Sequence, residues 1–295
     1  MSAASRKRVL QIVPAVAIIG VFMLAPLCLM AYVSLLEKGI NGGVVWDQHT
    51  AEAYVNFIFE RDLDDSLVLN TDYLQIFARS FGLSLLTAVL ALAIGFPTAL
   101  YMAMQPEHRR NLLIFLVTIP FWTNLLVRNY AWILLLRNGG LIENLVHWLG
   151  LSDQPLGVMY TPLAVSIGLT YTYLPFMVLP IYASLEKLDA RLIEAAFDLG
   201  ADRRRALLRV ILPLAAPGIA AGCVLVFVPA LGAYVTPELL GGGKSMMIGN
   251  LIQSQFGAAR NWPFGAALAF ALLAIVLLAM MVYLLRFRRA PAGGH

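Results

Sequence analysis

Hydrophobic residues occur in long uninterrupted blocks along the chain, separated by short polar segments. Between the positions of Asp, Glu, Lys and Arg lie six uncharged runs of 17 to 32 residues: 9–36, 80–106, 111–127, 154–185, 210–237 and 261–285. A helix needs about 20 residues to cross a hydrocarbon core roughly 30 Å thick. Each run can therefore supply one crossing, and the pattern predicts six transmembrane helices.

The apolar blocks do not alternate with polar residues as membrane-spanning strands do, and Ala266–Val282 is continuously apolar. We therefore predict an all-α polytopic membrane protein that forms a single domain over residues 1–295. The predicted spans are about 9–36, 80–104, 112–136, 160–185, 211–232 and 263–285, with an outer loop over 37–79 and an inner loop over 186–210.

Composition supports this fold class. The chain is 60% hydrophobic and 13% charged, with a mean hydropathy of +0.77. A typical soluble domain is about 45–50% apolar and about 25% charged, and a disordered chain is poor in apolar residues. Both of these classes are excluded.

The basic residues predict the orientation. If the N-terminus is cytoplasmic, the inner segments 1–8, 105–111, 186–209 and 286–295 carry 14 of the 21 Lys and Arg residues. Enrichment of Lys and Arg in cytoplasmic loops is a strong orientation signal. We therefore expect both termini on the cytoplasmic side of a bacterial inner membrane, and the first span is expected to be a retained signal-anchor.

Residues that could perform chemistry are sparse. Cys28 and Cys223 fall inside predicted spans, and the four histidines are scattered, so no metal site or catalytic constellation is predicted. Gly243-Lys244-Ser245 matches the end of a nucleotide-binding P-loop, but Glu238 stands where its first glycine is required. We expect no enzyme activity, cofactor or nucleic-acid binding in this chain. The acidic residues lie at or beyond the span ends, which disfavours an ion-coupled carrier working alone.

Two charged features allow alternative interpretations. The outer loop contains an acidic cluster of Glu60, Asp62, Asp64 and Asp65, which is either a solvated surface or one that attracts a partner or cations. Arg128 interrupts the third apolar block beside Trp122, Tyr130 and Trp132. It is either a functional intramembrane residue or an interfacial residue whose side chain reaches the headgroups.

The inner loop has the local signals of a short amphipathic helix. Asp189 is a good N-cap, residues 190–199 are rich in helix formers, and Gly200 suits the left-handed position that ends a helix. One face combines four apolar or small residues, Leu192, Ala195, Ala196 and Leu199. A second helix is expected to begin near Asp202. These signals alone fit an ordinary basic loop as well as a docking helix.

The same loop resembles the EAA motif of ABC importer permeases. Glu194-Ala195-Ala196 is followed at the family's spacing by Gly200 and by Leu212-Pro213, while Val210 replaces the usual isoleucine. The resemblance implies a type I importer architecture in which this loop carries a coupling helix for an ATPase subunit. Its implied coupling residues are Glu194, Ala195, Ala196, Asp198, Gly200, Leu212 and Pro213. The implied partners are an ATP-binding cassette dimer that binds ATP and Mg, a second permease and a periplasmic binding protein.

Further segments are similar to the spermidine/putrescine-type permeases, among them residues 119–123, 128–132, 236–242 and 247–256. This likeness implies import of a small cationic amine, although similar permeases carry other amines, opines, thiamine or iron. Aromatic rings can bind ammonium groups, and packing is the alternative role for each. The candidate residues along the substrate path are Trp122, Asn124, Arg128, Tyr130, Tyr171, Tyr173, Tyr234 and Glu238.

Overall fold

A computed structural model describes residues 3–61, 67–152 and 154–287. Its helices, in chain order, are α1 (Ala3–Val33), α2 (Glu52–Ile58), α3 (Thr71–Ala103), α4 (Glu107–Trp122), α5 (Leu125–Leu136), α6 (Leu141–Trp148), α7 (Pro162–Leu185), α8 (Ala190–Asp198), α9 (Arg203–Ala206), α10 (Leu212–Leu231), α11 (Val235–Gly241), α12 (Ile248–Phe256) and α13 (Trp262–Phe287). A π-helical turn over Leu207–Ile211 joins α9 to α10. The strands are β1 (Leu36–Lys38), β2 (Val44–His49), β3 (Phe59–Arg61) and β4 (Leu67–Leu69).

The helices confirm an all-α polytopic membrane protein. Within the described part of the chain, five helices are long and apolar enough to cross a membrane, and the bent pair that begins with α4 raises the number to six. The long apolar helices are α1, α3, α7, α10 and α13.

The third predicted span, 112–136, is not one continuous helix. The chain leaves helical geometry at Thr123 and Asn124, and the two flanking helical segments are bent by 93°. Thr123 is extended, with ψ of 144°, and the Asn124 side chain accepts a hydrogen bond from the Leu126 N–H at 2.8 Å. An N-cap of this kind starts a new helix, which a count of apolar residues does not detect.

The predicted outer loop 37–79 is largely structured. β1 pairs with β2 and β3 pairs with β4, both antiparallel, and α2 connects the two hairpins in the sequence. α3 begins at Thr71 because Asn70 accepts hydrogen bonds from the N–H groups of Asp72 and Tyr73. α3 therefore begins before the predicted span of 80–104, and it includes Asp72 and Arg79, the charged residues that the prediction left outside the span. Asp62, Asp64 and Asp65 lie outside the described residues, as do the side chain of Glu60 and the basic residues Arg288 and Arg289.

Contacts divide the chain into two compact units. One comprises the residues up to Leu74 together with those from Leu251 onward, and the other is Gln75–Asn250. In the first unit, α13 packs against α1 and α2, and Gly43 N–H donates to the Arg260 carbonyl at 2.7 Å.

The second unit is organised around close packing of α7 against α10. A Cβ atom added to Gly218 would lie 2.5 Å from the Pro180 carbonyl oxygen, and one added to Gly222 would lie 2.8 Å from Met177 Sδ. Small residues let apolar helices approach closely in membranes. Because α8, α9 and the π-helical turn lie between α7 and α10 in sequence, a tightly packed helix pair holds both ends of the inner loop.

Candidate functional site

The EAA segment forms the predicted helix with both of its predicted caps. At the start of α8, Asp189 Oδ1 accepts a hydrogen bond from the Arg191 N–H at 3.0 Å. At its end, Gly200 has φ of +81°, and its N–H donates to the Phe197 carbonyl at 2.9 Å. The Ala201 N–H donates to the Ala196 carbonyl at the same distance, which completes a Schellman motif.

The second helix of the inner loop also begins where the sequence predicts. Asp202 Oδ1 accepts from the Arg205 N–H at 2.7 Å and caps α9. The following π-helical turn closes with a hydrogen bond from the Leu212 N–H to the Leu207 carbonyl. Pro213 follows directly and has no N–H to donate, so the change in hydrogen-bond spacing occurs where the helical ladder is interrupted.

The outward face of α8 is open. Glu194, Ala195 and Asp198 are exposed, Leu199 is 89% exposed, and Ala196 is half-buried. Exposed apolar and small side chains beside a carboxylate provide a surface that a partner could approach closely. The structure therefore places most of the candidate coupling residues on one accessible segment, with Leu212 and Pro213 at the start of α10.

A second group of candidates, those predicted to line the substrate path, lies at the break between α4 and α5. Trp122 is the last residue of α4, Asn124 caps α5, and Tyr130 is an exposed residue within α5. Trp122 is 82% exposed, so its ring is not part of the packed interior of this chain.

Arg128 folds back onto the break. Its Nη2 donates to the Thr123 carbonyl at 2.9 Å and its Nε donates to Thr123 Oγ1 at 3.3 Å. The guanidinium carbon lies 6.0 Å from the centroid of the Tyr171 ring, within the range of a cation–π contact. Arg128 therefore joins the two helices of the bent pair to α7. Thr123 was missed as a site residue because its role depends on the bend.

Two tyrosines of α7 have different surroundings. Tyr171 makes an edge-to-face contact with Trp132, with ring centroids 5.5 Å apart. The hydroxyl of Tyr173 donates to the Pro229 carbonyl of α10 at 3.2 Å. Of these two tyrosines, Tyr171 lies within cation–π distance of Arg128, whereas the hydroxyl of Tyr173 links α7 to α10.

A third group lies around α11. Asn250 is buried, and its Nδ2 donates to Glu238 Oε2 at 2.8 Å and to the Tyr234 carbonyl at 2.9 Å. Glu238 and Tyr234 are themselves exposed. Sequence reasoning included Asn250 in a family-like segment but not as a site residue, because the pairing is between residues on separate helices.

The three groups are therefore the candidate coupling loop (residues 186–210), the break between α4 and α5, and the surroundings of α11. α11 packs against both α5 and α7, so the second and third groups share supporting elements. Among the residues that the structure describes, no group of three or more His, Cys, Asp or Glu side chains could hold a metal ion.

Comparisons with known proteins agree with this architecture. The chain is 42% identical over 231 residues to the spermidine/putrescine transport system permease protein PotB of Escherichia coli (strain K12), which covers 78% of this chain and 84% of that protein. It is 40% identical over 262 residues to PotB of Haemophilus influenzae, which covers 89% of this chain and 87% of that protein.

Two solved structures share the fold. A bacterial ABC transporter that imports the acidic polysaccharide alginate matches with a TM-score of 0.66 and 18% identity over 97% of this chain and 98% of that one. An alginate transporter in complex with a substrate-bound periplasmic protein matches with a TM-score of 0.64 and 19% identity, covering 93% of each chain.

The family comparison covers most of the membrane region. The protein family described as "Binding-protein-dependent transport system inner membrane component" matches residues 93–290 of this chain. This range includes the candidate coupling loop, the break between α4 and α5 and the α11 group. The chain belongs to the family of inner membrane components of binding-protein-dependent transport systems.

Proposed function

We propose that this chain is the permease subunit of an ATP-driven importer that carries a polyamine, such as spermidine or putrescine, from the periplasm to the cytoplasm. The observation that carries the proposal is the 42% identity to PotB over 78% of the chain. The two alginate transporters support the fold but not the solute, because their identity to this chain is below 20%.

The proposed assembly contains a binding protein, a second permease and two ATPase subunits. The open face of α8 supports docking of an ATPase, with Glu194 pairing to basic groups and Ala195 and Ala196 permitting close approach. ATP and Mg are bound by the ATPase, and this chain needs no cofactor. Transport proceeds by alternating access, in which ATP binding biases two packings of the spans.

The break between α4 and α5 is the proposed substrate path. Discontinuous helices are a common way to place polar backbone groups inside a membrane protein. The faces of Trp122, Tyr130 and Tyr171 could bind ammonium groups, whereas Arg128 would repel them. Glu238 adds a carboxylate, held by Asn250, in the α11 group.

Reconstitution tests the proposal. The chain, its second permease and the ATPase would be placed in proteoliposomes with the binding protein, and ATP-dependent uptake of spermidine, putrescine, thiamine and ferric iron would be measured. We expect polyamine uptake and stimulation of ATP hydrolysis by the loaded binding protein. Uptake of thiamine or iron without polyamine uptake would show that the solute assignment is wrong while the architecture is right.

A separate variant tests the proposed role of Glu194 in coupling. Glu194→Gln removes the charge but keeps the shape, and it should lower stimulated ATP hydrolysis and uptake together. Asp202→Asn, which also removes one negative charge but keeps a side-chain oxygen that can cap α9, serves as the matched control in the same loop. Wild-type uptake in Glu194→Gln would contradict the role of Glu194.

A further inference from the structure

An ion pair joins α4 to the first residue of the coupling loop. Arg110 Nη1 lies 3.4 Å from Glu186 Oε1. Arg110 is in the first turn of α4, and Glu186 caps α7, where its N–H donates to the Tyr182 carbonyl at 2.8 Å. The pair therefore links the two helices at the point where the chain enters the loop that carries α8.

The surroundings of this pair favour a fixed geometry. The side chain of Arg110 is 27% exposed and that of Glu186 is 42% exposed. The Nε atom of Arg110 is buried and has no hydrogen-bond partner among the described residues. Most of the Tyr182 side chain is buried, and its hydroxyl is close enough to the Glu186 carboxylate to interact with it electrostatically. Because the guanidinium of Arg110 is partly shielded from water and salt, its attraction to Glu186 is screened less than in a fully exposed pair. The pair therefore restrains the Arg110 side chain more strongly.

An apolar contact continues along α4 from this pair to the break. Three residues of α4 pack against the buried core that includes Met177 and Ile181 of α7, namely Leu113, Ile114 and Val117. Near the end of α4, the rings of Phe121 and Phe176 meet edge to face with centroids 5.6 Å apart. α4 therefore contacts α7 from its first turn to the residue before Trp122.

We propose that Arg110 is a positioning residue that makes α4 follow the coupling loop, so that movement at α8 changes the bend at Thr123 and Asn124. This inference rests on the proposed function, because it requires an ATPase that moves α8. When α8 is displaced, the end of α7 at Glu186 moves with it. The ion pair transmits this displacement to α4, whose other end carries the break and the Arg128 contacts.

The ion pair and the apolar contact have separable roles. Removing the pair leaves the contact of Leu113, Val117 and Phe121 with α7 in place, so the fold and membrane insertion should persist. What should be lost is the restraint that ties the first turn of α4 to Glu186 at the start of the loop. The expected defect is therefore in the number of solute molecules moved per ATP hydrolysed, rather than in protein yield.

Charge exchange tests the proposal in the assembled transporter with its second permease, ATPase and binding protein. The variants are Arg110→Glu, Glu186→Arg and the double exchange Arg110→Glu/Glu186→Arg. Arg109→Glu is the matched control, since Arg109 is the exposed neighbour on the same helix and its replacement changes the inner charge equally. The measurements are uptake and binding-protein-stimulated ATP hydrolysis in proteoliposomes, together with the thermal unfolding midpoint.

We expect each single variant to lower uptake per ATP hydrolysed by about threefold to tenfold, which is within the range by which a single residue can change coupling. The double exchange should restore most of the ratio, and Arg109→Glu should leave it unchanged. Unfolding midpoints should stay close to that of the wild type. An unchanged ratio in both single variants, or a double exchange as defective as the worse single variant, would overturn the inference. Absence of stimulated hydrolysis in the wild type would instead contradict the proposed function.

Discussion

Tyr160 and Gly242 both have left-handed backbone conformations, with φ of 62° and 57°, and they lie against each other. A Cβ atom added to Gly242 would overlap the Tyr160 ring. The Tyr160 N–H donates to the Leu240 carbonyl at 3.1 Å, which holds the tyrosine in a conformation that bulky residues rarely adopt. A strained residue is therefore fixed against the end of α11.

Gly242→Ala should destabilise the protein by about 1–3 kcal/mol, because it adds a steric overlap to an unfavourable φ. Gly243→Ala separates the two causes: its φ is +76°, but an added Cβ atom meets nothing within 4 Å. Thermal unfolding of the purified variants should show a larger loss for Gly242→Ala. Equal losses would mean that contact with Tyr160 contributes nothing.

Arg128→Met removes the donors that satisfy the Thr123 carbonyl and hydroxyl at the break. A hydrogen bond that involves a charged group contributes about 1.5–3 kcal/mol, so we expect uptake by the reconstituted transporter to fall by about tenfold. Arg128→Lys keeps the charge but not the paired geometry and should recover only part of the activity. Arg137→Met, at the exposed C-cap of α5, is the control. Full activity in Arg128→Met would show that the bend does not need this contact.

At the level of elements, sequence reasoning succeeded where local chemistry determines structure. Asp189 and Gly200 were sufficient to place both ends of α8, because an N-cap carboxylate and a left-handed C′ glycine act on neighbouring backbone groups. The break in the third span was missed because Thr123 and Asn124 are uncharged, and a count of uncharged residues does not detect an N-cap at Asn124. The Asn250–Glu238 hydrogen bond could not be predicted, since it depends on how α11 and α12 pack.

The left-handed end of α8 also provides a test of the coupling helix. An added Cβ atom at Gly200 meets nothing within 4 Å, so substitution there acts through its φ of +81° alone. Gly200→Val should cost about 1–2 kcal/mol in this conformation and should lower binding-protein-stimulated ATP hydrolysis by shifting α8. Gly200→Asn, which tolerates left-handed geometry, should retain stimulation. Equal activity in both variants would show that coupling does not depend on the left-handed conformation at the end of α8.

At the level of the whole molecule, orientation in the membrane remains a prediction from the distribution of Lys and Arg. Two exposed positions can test it, because Ile40 at the tip of the β1–β2 hairpin is fully exposed and Leu199 is 89% exposed. Ile40→Cys should react with a membrane-impermeant maleimide in cells whose outer membrane is permeable. Leu199→Cys should react only after the inner membrane is opened, because positive charge retains its loop inside.

Burial within this chain cannot explain a failure to label, since both side chains are exposed in the folded chain. The variants are expressed without the ATPase, so that no subunit docked on α8 covers Leu199→Cys. Cys28 and Cys223 are the native thiols, and replacing both with alanine gives a background without competing reaction. Labelling of both variants in detergent confirms that each thiol is reactive. Reaction of Leu199→Cys from outside, with protection of Ile40→Cys, would show that the orientation is the opposite of the predicted one. It would also place α8 on the side where no ATPase could reach it, so the same labelling pattern tests the topology and the coupling assignment.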